Sequence, residues 1–300
     1  MTATAKVSAP PGVGARTPAG RIAATAFMIV MTVLWILPIV FAIYVALRPM
    51  ASTAKYGYVS LPHGGLTFHN FSSAWSQGDM VHYFLNTVYI VVPAVIVTLV
   101  LASAVAFVLS RLRTWWSVAL LILFTAGNLL PPQAIITPLY WIYTQLVVPG
   151  WMSSSGTLYN TYLGLIIINV TFQLGFCVFV LRNFMASIPE EMYEAARVDG
   201  ASVFTQWWRL TLPMCRPALA ALGTLLTTWI YNDFFWATVL MSSGSKRPIT
   251  SALNDLQGQF VSNQNQIAAA ALLAAIPTLV VYLVLQRQFI AGLSLGSTKA

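Results

Sequence analysis

The stretch Glu194-Ala195-Ala196-Arg197-Val198-Asp199-Gly200, continued by Ala201-Ser202-Val203-Phe204-Thr205-Gln206-Trp207-Trp208-Arg209-Leu210-Thr211-Leu212-Pro213, sets a compact charged segment between two long apolar runs. Four of the chain's seven acidic residues fall within ten positions here: Glu190, Glu191, Glu194 and Asp199. A nearly uncharged chain that gathers its acids in one place presents them to something.

The rest of the sequence fixes the setting. Of 300 residues, 58% are hydrophobic and 7% charged, against about 25% charged in soluble domains. Uncharged runs cover 22–47, 83–110, 114–181, 217–232 and 256–286. A helix needs about 20 apolar residues to cross a hydrocarbon core about 30 Å thick. The run 114–181 is too long for one span, and Gly150, Ser153, Ser154, Ser155 and Gly156 supply a turn within it. The reading is an all-α membrane protein with six spans, about 22–47, 84–110, 115–138, 159–181, 216–240 and 267–287. Pro131, Pro132 and Pro138 interrupt the third, and residues 139–148 fit a separate interfacial helix. Pro38, Pro93 and Pro277 lie inside spans and read as kinks in a packed bundle.

Orientation follows from the basic residues. With both termini cytoplasmic, the inside carries Lys6, Arg16, Arg21, Arg111, Arg113, Arg182, Arg197, Arg209, Arg216, Arg287 and Lys299, and the outside carries Arg48, Lys55, Lys246 and Arg247. This asymmetry is the positive-inside pattern. The net charge of +8 therefore reports topology and contact with lipid headgroups. Nucleic acid is not implied, because no basic stripe is interleaved with aromatics. The first span is too long for the apolar core of a signal peptide. Residues 1–21, with Pro10, Pro11, Gly12, Gly14, Pro18 and Gly20, read as a disordered cytoplasmic tail, and 291–300 as a second cytoplasmic tail. Between them, 22–290 forms the six-helix domain, with 187–213 as its cytoplasmic loop.

Within that loop, Ser187-Ile188-Pro189-Glu190 fits a capping box, a hydroxyl three residues ahead of a glutamate with proline in the first turn. A helix over about 189–198 is expected. Its spacing puts Glu190, Glu194 and Arg197 on one face and Met192, Ala195 and Ala196 on another. Asp199-Gly200 stops it, since glycine accepts the left-handed conformation of a C-cap. Ser202 then caps a second helix, whose Phe204, Trp207 and Trp208 form a stripe suited to lie against the underside of the bundle. Pro213 and Pro217 mark the entry to the fifth span.

This stretch resembles the EAA loop of permease subunits of ATP-binding-cassette importers: EAA, three residues, G, nine residues, I, one residue, LP. Glu194-Ala195-Ala196, Gly200, Leu210 and Leu212-Pro213 occupy those positions, with leucine in place of isoleucine at 210. The wider match is similar to the carbohydrate, MalG-like branch. It includes Leu181-Arg182-Asn183-Phe184, Asn232-Asp233-Phe234-Phe235-Trp236 and the ending Gly292-Leu293-Ser294-Leu295-Gly296-Ser297-Thr298-Lys299. The resemblance implies a type I importer permease fold carrying half of a translocation pathway. Its implied partners are a homologous second permease, two cytoplasmic ATPase subunits that hold the ATP and Mg, and an extracytoplasmic sugar-binding protein. It further implies an ATPase-coupling set of Glu190, Glu194, Ala195, Ala196, Arg197, Asp199, Gly200 and Pro213. Within that set Glu194 makes the polar contact, Ala195 and Ala196 permit close approach, and Gly200 sets the bend.

For the transported molecule the best lead is Asp233, the only acid inside an expected span. An intramembrane carboxylate is expensive and faces a bundle interior or water. It stands either as a gate or sugar contact with Asn232, Trp229 and Trp236, or as a hydrated interfacial acid. Asn128 and Asn169 are further polar groups in spans, suited to the path or to interhelical hydrogen bonds. The sequence contains no phosphate-binding G-x-x-x-x-G-K-[ST] and no H-E-x-x-H. The expectation is a non-catalytic subunit that binds no cofactor itself. The alternative, a self-sufficient secondary transporter or channel, calls for coupling carboxylates or an inverted repeat, and one acid is a poor start.

Overall fold

In lipid only a backbone that satisfies its own hydrogen bonds is stable, and the apolar runs fold accordingly. The computed structural model describes residues 18–112, 114–128, 131–153, 156–242, 244–253 and 263–294. In chain order the helices are α1 (Pro18–Ala46), α2 (Met50–Tyr56), α3 (His69–Gln77), α4 (Met80–Arg111), α5 (Trp115–Gly127), α6 (Ile136–Gln145) and α7 (Tyr162–Met185). They continue as α8 (Glu190–Val198), α9 (Val203–Met214), α10 (Arg216–Tyr231), α11 (Phe235–Leu240), α12 (Ile249–Ala252) and α13 (Gln264–Ser294). Among the described residues the one β feature is an isolated bridge between Val147 and Thr157.

Four helices are long and apolar enough to cross a membrane alone: Ala19–Ala46, Met80–Arg111, Tyr162–Met185 and Gln264–Val284. The number reaches six if each of two bent pairs is one span. Trp115–Gly127 with Pro132–Gln145 bends by 90°, and Val203–Met214 with Arg216–Tyr231 bends by 76°. The expected third span, 115–138, is thus broken: proline cannot supply the N–H that would continue a helix, and Pro131 precedes a single 3-10 turn from Pro132 to Ile135. The expected fifth span, 216–240, also divides. α10 ends at Tyr231, α11 begins at Phe235, and Asn232 and Asp233 lie in the break. Of the expected tails, residues 1–17 and 295–300 lie outside the described residues, whereas 18–21 and 291–294 are helical. Lys6, Arg16, Arg113 and Lys299 of the basic set, and Ser154 and Ser155 of the turn, are likewise outside them.

The core is built by α4 against α7 and by α10 against α13. Ala94, Ala102 and Ala106 of α4 are fully buried, small side chains of the kind that let membrane helices approach closely. They meet a seam that includes Leu165, Ile168, Val178 and Leu181 of α7. α1 is exposed along most of its length and buried at Val45 and Ala46. In α13, Pro277 disturbs a turn whose Ala274 carbonyl accepts a hydrogen bond from the Tyr231 hydroxyl at 2.8 Å.

α5 crosses α7 at Gly175. A Cβ there would fall 2.1 Å from the Phe124 carbonyl oxygen and 2.4 Å from Asn128 Nδ2. Both partners are held: Asn128 Nδ2 donates to Phe124 O at 3.1 Å. Gly175→Ala is therefore expected to force α5 off α7 and lower stability by roughly 1–3 kcal/mol, the usual cost of overpacking. Thermal unfolding of the detergent-solubilised protein checks this, and an unchanged midpoint would mean that the crossing is looser than it stands.

Arg48, counted above as a topological charge, is fully buried. Its Nη1 donates to the carbonyls of Gly57, Tyr58 and Ser60, and its Nη2 to Ser52 Oγ and Ser60 Oγ, all within 3.1 Å. Asn70 and Asn265 each donate to the Arg48 carbonyl. The segment between α1 and α3 is thereby pinned to the start of α13.

Candidate functional site

α8 starts at Glu190, and its N-cap, Pro189, offers no side-chain cap. The expected capping box does not form. The Ser187 hydroxyl donates back to the Phe184 carbonyl at 2.7 Å, because the chain there is still turning off α7: Ile188 N–H bonds to Met185 O. Glu190 is drawn sideways by Arg111 at 2.9 Å and by Arg197 at 3.5 Å. Glu190, Glu194 and Arg197 do share a face, with Arg197 3.9 Å from Glu194. The Arg197 pairs are largely exposed, and such pairs are worth a few tenths of a kcal/mol.

The end of α8 is rigid. Gly200 has φ +78°, its N–H bonds to Arg197 O at 3.0 Å, and Ala201 N–H bonds to Ala196 O at 2.8 Å. That bond pair is the Schellman motif, which closes the last carbonyls of a helix. Ser202 Oγ accepts from Thr205 N–H at 3.2 Å and so caps α9. Gln206 Nε2 donates to Ala201 O at 2.9 Å and ties the turn to α9.

The aromatic stripe behaves differently from the expectation. Phe204 and Trp208 are 65% and 55% exposed, and Trp207 alone of the three is partly buried against the core. Residues Gln206–Thr211 form a π-helical turn, whose i to i+5 bonds widen the helix. The inward positions become Gln206 and Thr211, five apart, so a pattern at three and four points outward. With Glu194, Ala195, Asp199 and Val198, the last 88% exposed, Val203, Phe204 and Trp208 leave a mixed apolar and acidic surface uncovered. Ala196 is half-buried, and Pro213 is exposed just before the bend at Cys215.

Sequence reasoning missed what holds α8 from behind. Tyr193 is 1% exposed, and its hydroxyl lies 3.0 Å from Thr211 Oγ1. Burial pushes the pKa of this hydroxyl up, opposed by the Thr211 hydrogen bond and the Arg111 charge. The Arg111 guanidinium stacks 3.6 Å from the centre of the Tyr193 ring. The signal was the pair Tyr193 and Ala196 at i, i+3; Met192 and Ala195, assigned to the apolar face, are exposed.

At the α10–α11 break, Asp233 Oδ1 accepts from Trp236 N–H at 3.1 Å and caps α11. Asp233 Oδ2 accepts from Asn169 Nδ2 at 3.2 Å, and the Asp233 carbonyl accepts from the Thr250 hydroxyl at 3.0 Å. Trp236 is buried against Phe172, their ring centres 5.1 Å apart. The structure thus brings Asn169, Asp233 and Trp236 together. Asn232 is exposed and bonds back to Thr228 O, and Trp229 is exposed edge-on to Phe176. Asn128 stands apart, at the α5–α7 crossing.

Comparison with known proteins places this geometry in context. A family model described as "Binding-protein-dependent transport system inner membrane component" matches residues 98–294. The chain is 32% identical over 235 residues to the melibiose/raffinose/stachyose import permease MelC of Bacillus subtilis, covering 78% of this chain and 82% of that one. It is 31% identical over 236 residues to the diacetylchitobiose uptake permease NgcG of Streptomyces coelicolor, covering 77% and 74%. Its fold matches a crystal structure of a bacterial ABC transporter involved in import of the polysaccharide alginate, with TM-score 0.74, 21% identity, and 91% and 98% of the two chains covered.

Proposed function

The chain belongs to the inner-membrane components of binding-protein-dependent transport systems, and from that premise we propose that it carries carbohydrate, an oligo- or disaccharide or a related sugar derivative, through half of an ATP-driven import pathway. A homologous permease supplies the other half. An extracytoplasmic binding protein delivers the sugar, and two cytoplasmic ATPases, holding ATP and Mg, drive the cycle. The subunit itself is non-catalytic. Both termini and α8 lie on the cytoplasmic side of the bacterial plasma membrane, as the basic residues direct.

The observation that carries this reading is the outward surface of α8 and its turn. Glu194 and Asp199 are exposed beside Val198, Val203 and Phe204, a polar rim around apolar anchors of the kind protein interfaces use. On this reading Glu194 pairs with the ATPase, Ala195 and Ala196 let the helix lie close, and Gly200 aims the tip. The sugar class is supported by the substrates named for MelC and NgcG. At the far side, Asn232, Trp229 and the Asn169–Asp233–Trp236 cluster form the candidate path or gate, and Asn128 lies outside it.

Co-expression with the ATPase, second permease and binding protein encoded beside this chain tests the reading. The ATPase is expected to co-purify, and sugar-loaded binding protein to stimulate hydrolysis. Glu194→Lys puts a like charge where the ATPase offers a cation, which costs several kcal/mol. It is expected to cut stimulated hydrolysis by about tenfold or more without affecting membrane insertion. Transport by the chain alone, or a Glu194→Lys complex at full rate, would sink the assignment.

A further inference from the structure

Glu190 belongs to the same loop as Glu194, yet it is engaged from behind. Arg111 ends α4. Its Nη1 donates to Glu190 Oε2 at 2.9 Å, its Nη2 donates to Met185 O at 3.0 Å, and its guanidinium lies 3.6 Å from the Tyr193 ring centre. One side chain therefore ties the end of α4 to the end of α7 and to two turns of α8. On its α5 side, α8 faces a cleft of about 690 Å³, lined by Trp115, Val118 and Glu191 among others, instead of a packed seam.

The connection continues through Tyr193. Thr211 Oγ1 donates to Gln206 O at 3.0 Å, which leaves its lone pair to accept from the Tyr193 hydroxyl at 3.0 Å. Thr211 is fully buried in the π turn of α9, and α9 joins α10 through the 76° bend. A continuous polar and aromatic chain thus runs from α4 through Arg111, Tyr193 and Thr211 to the root of α10.

We propose that Arg111 and Tyr193 are positioning residues that carry displacement of the docked α8 into α4 and α10, and that Glu190 serves this clamp and does not pair with the ATPase. The proposal rests on the coupling reading above. Arginine suits the place because its planar fork bonds two acceptors while its face stacks on a ring, which lysine cannot do together. A clamp joining two spans to one short helix makes the loop and the bundle move as a unit, and without it a docked loop slips.

The test uses the complete complex, reconstituted with its binding protein. Arg111→Lys is expected to leave ATPase co-purification intact and to lower sugar moved per ATP hydrolysed by roughly tenfold, the effect of losing a charged bidentate contact. Tyr193→Phe removes the bond to Thr211 and Thr211→Val removes that bond together with the one to Gln206 O, and each should lower that ratio by at least roughly two- to fivefold. The double variant should be no worse than Thr211→Val alone, because that substitution already removes the Tyr193–Thr211 bond. The ratio is the decisive reading, since a merely structural defect reduces the amount of complex and leaves it unchanged. If Arg111→Lys fails to assemble, the Tyr193 and Thr211 cycle decides alone. Wild-type ratios in the assembled variants, or full additivity in the cycle, overturn the clamp while the docking reading stands. Failure of the unaltered chain to bind the ATPase overturns the docking reading, and the clamp with it.

Discussion

Gly200→Pro is expected to abolish sugar transport while leaving the protein inserted in the membrane. Gly200 sits at φ +78°, and proline is locked near φ about −65° and carries no N–H. The variant therefore loses the turn and the bond from Gly200 N–H to Arg197 O together. A proline misplaced in this way costs about 3 kcal/mol or more, which is roughly two decades in the population of the native loop. Nothing lies within 4 Å of a Cβ built at Gly200, so crowding plays no part and the effect is one of backbone conformation. Gly200→Asn should stay near normal, because asparagine visits the left-handed region, and Gly200→Ala should show an intermediate loss of about 1–2 kcal/mol. Sugar uptake and ATP hydrolysis in proteoliposomes, with membrane fractionation as the control, follow the series. An order other than Gly, Asn, Ala, Pro would mean that the turn is not what positions the loop.

That turn was legible because its determinants are local. Asp199-Gly200 and Ser202 need only their neighbours, and the structure forms both caps where the spacing puts them. Failures in the same loop have a common cause in partners remote in sequence. Ser187 and Glu190 stand at capping-box spacing, but Arg111, 79 positions earlier, takes the glutamate. Phe204, Trp207 and Trp208 stand at helical spacing, but the π turn over Gln206–Thr211 shifts the inward face. No rule of three and four anticipates a period of five.

The spans divide along the same line. Composition identifies helices that are apolar from end to end, such as α4 and α7. Pro131 and Pro132 announce the break after α5 because proline acts on its own backbone. The break after α10 carries no such mark, since Asn232-Asp233 looks like two polar residues in a continuing helix. It is stabilised by Asn169 on another helix and by the cap on Trp236. Arg48 teaches the same lesson at the other end of the charge scale: a count of basic residues sees a topological marker, and only the folded chain gathers the carbonyls of Gly57, Tyr58 and Ser60 around it.

Whether Asp233 touches sugar or supports the break is separable by moving its charge. Asp233→Leu removes the cap on α11, worth about 1 kcal/mol, and takes away one of the two acceptors of Asn169 Nδ2, which keeps its bond to Leu165 O at 3.0 Å, at about 1 kcal/mol. It is expected to abolish transport and to lower the unfolding midpoint. Asp233→Asn keeps an oxygen for Trp236 N–H, but turns its amide nitrogen toward the Asn169 N–H, donor against donor. A several-fold loss of uptake is expected, of the size of one buried hydrogen bond. Adding Asn169→Asp reverses the pair, so that position 233 donates and position 169 accepts, at the cost of the bond from position 169 to Leu165 O, so recovery is expected to be partial. A support role requires only the bond, and the double variant should then regain uptake over Asp233→Asn alone. A sugar contact requires the carboxylate at 233, and moving it to α7 would leave uptake low whatever the bond does. The geometry favours recovery, because both Asp233 carboxylate oxygens already have partners within the chain. Asn232, whose amide nitrogen bonds Thr228 O, and Trp229 are exposed beside the break; if they meet the sugar as proposed, Asn232→Ala is the variant expected to change affinity with little change in stability.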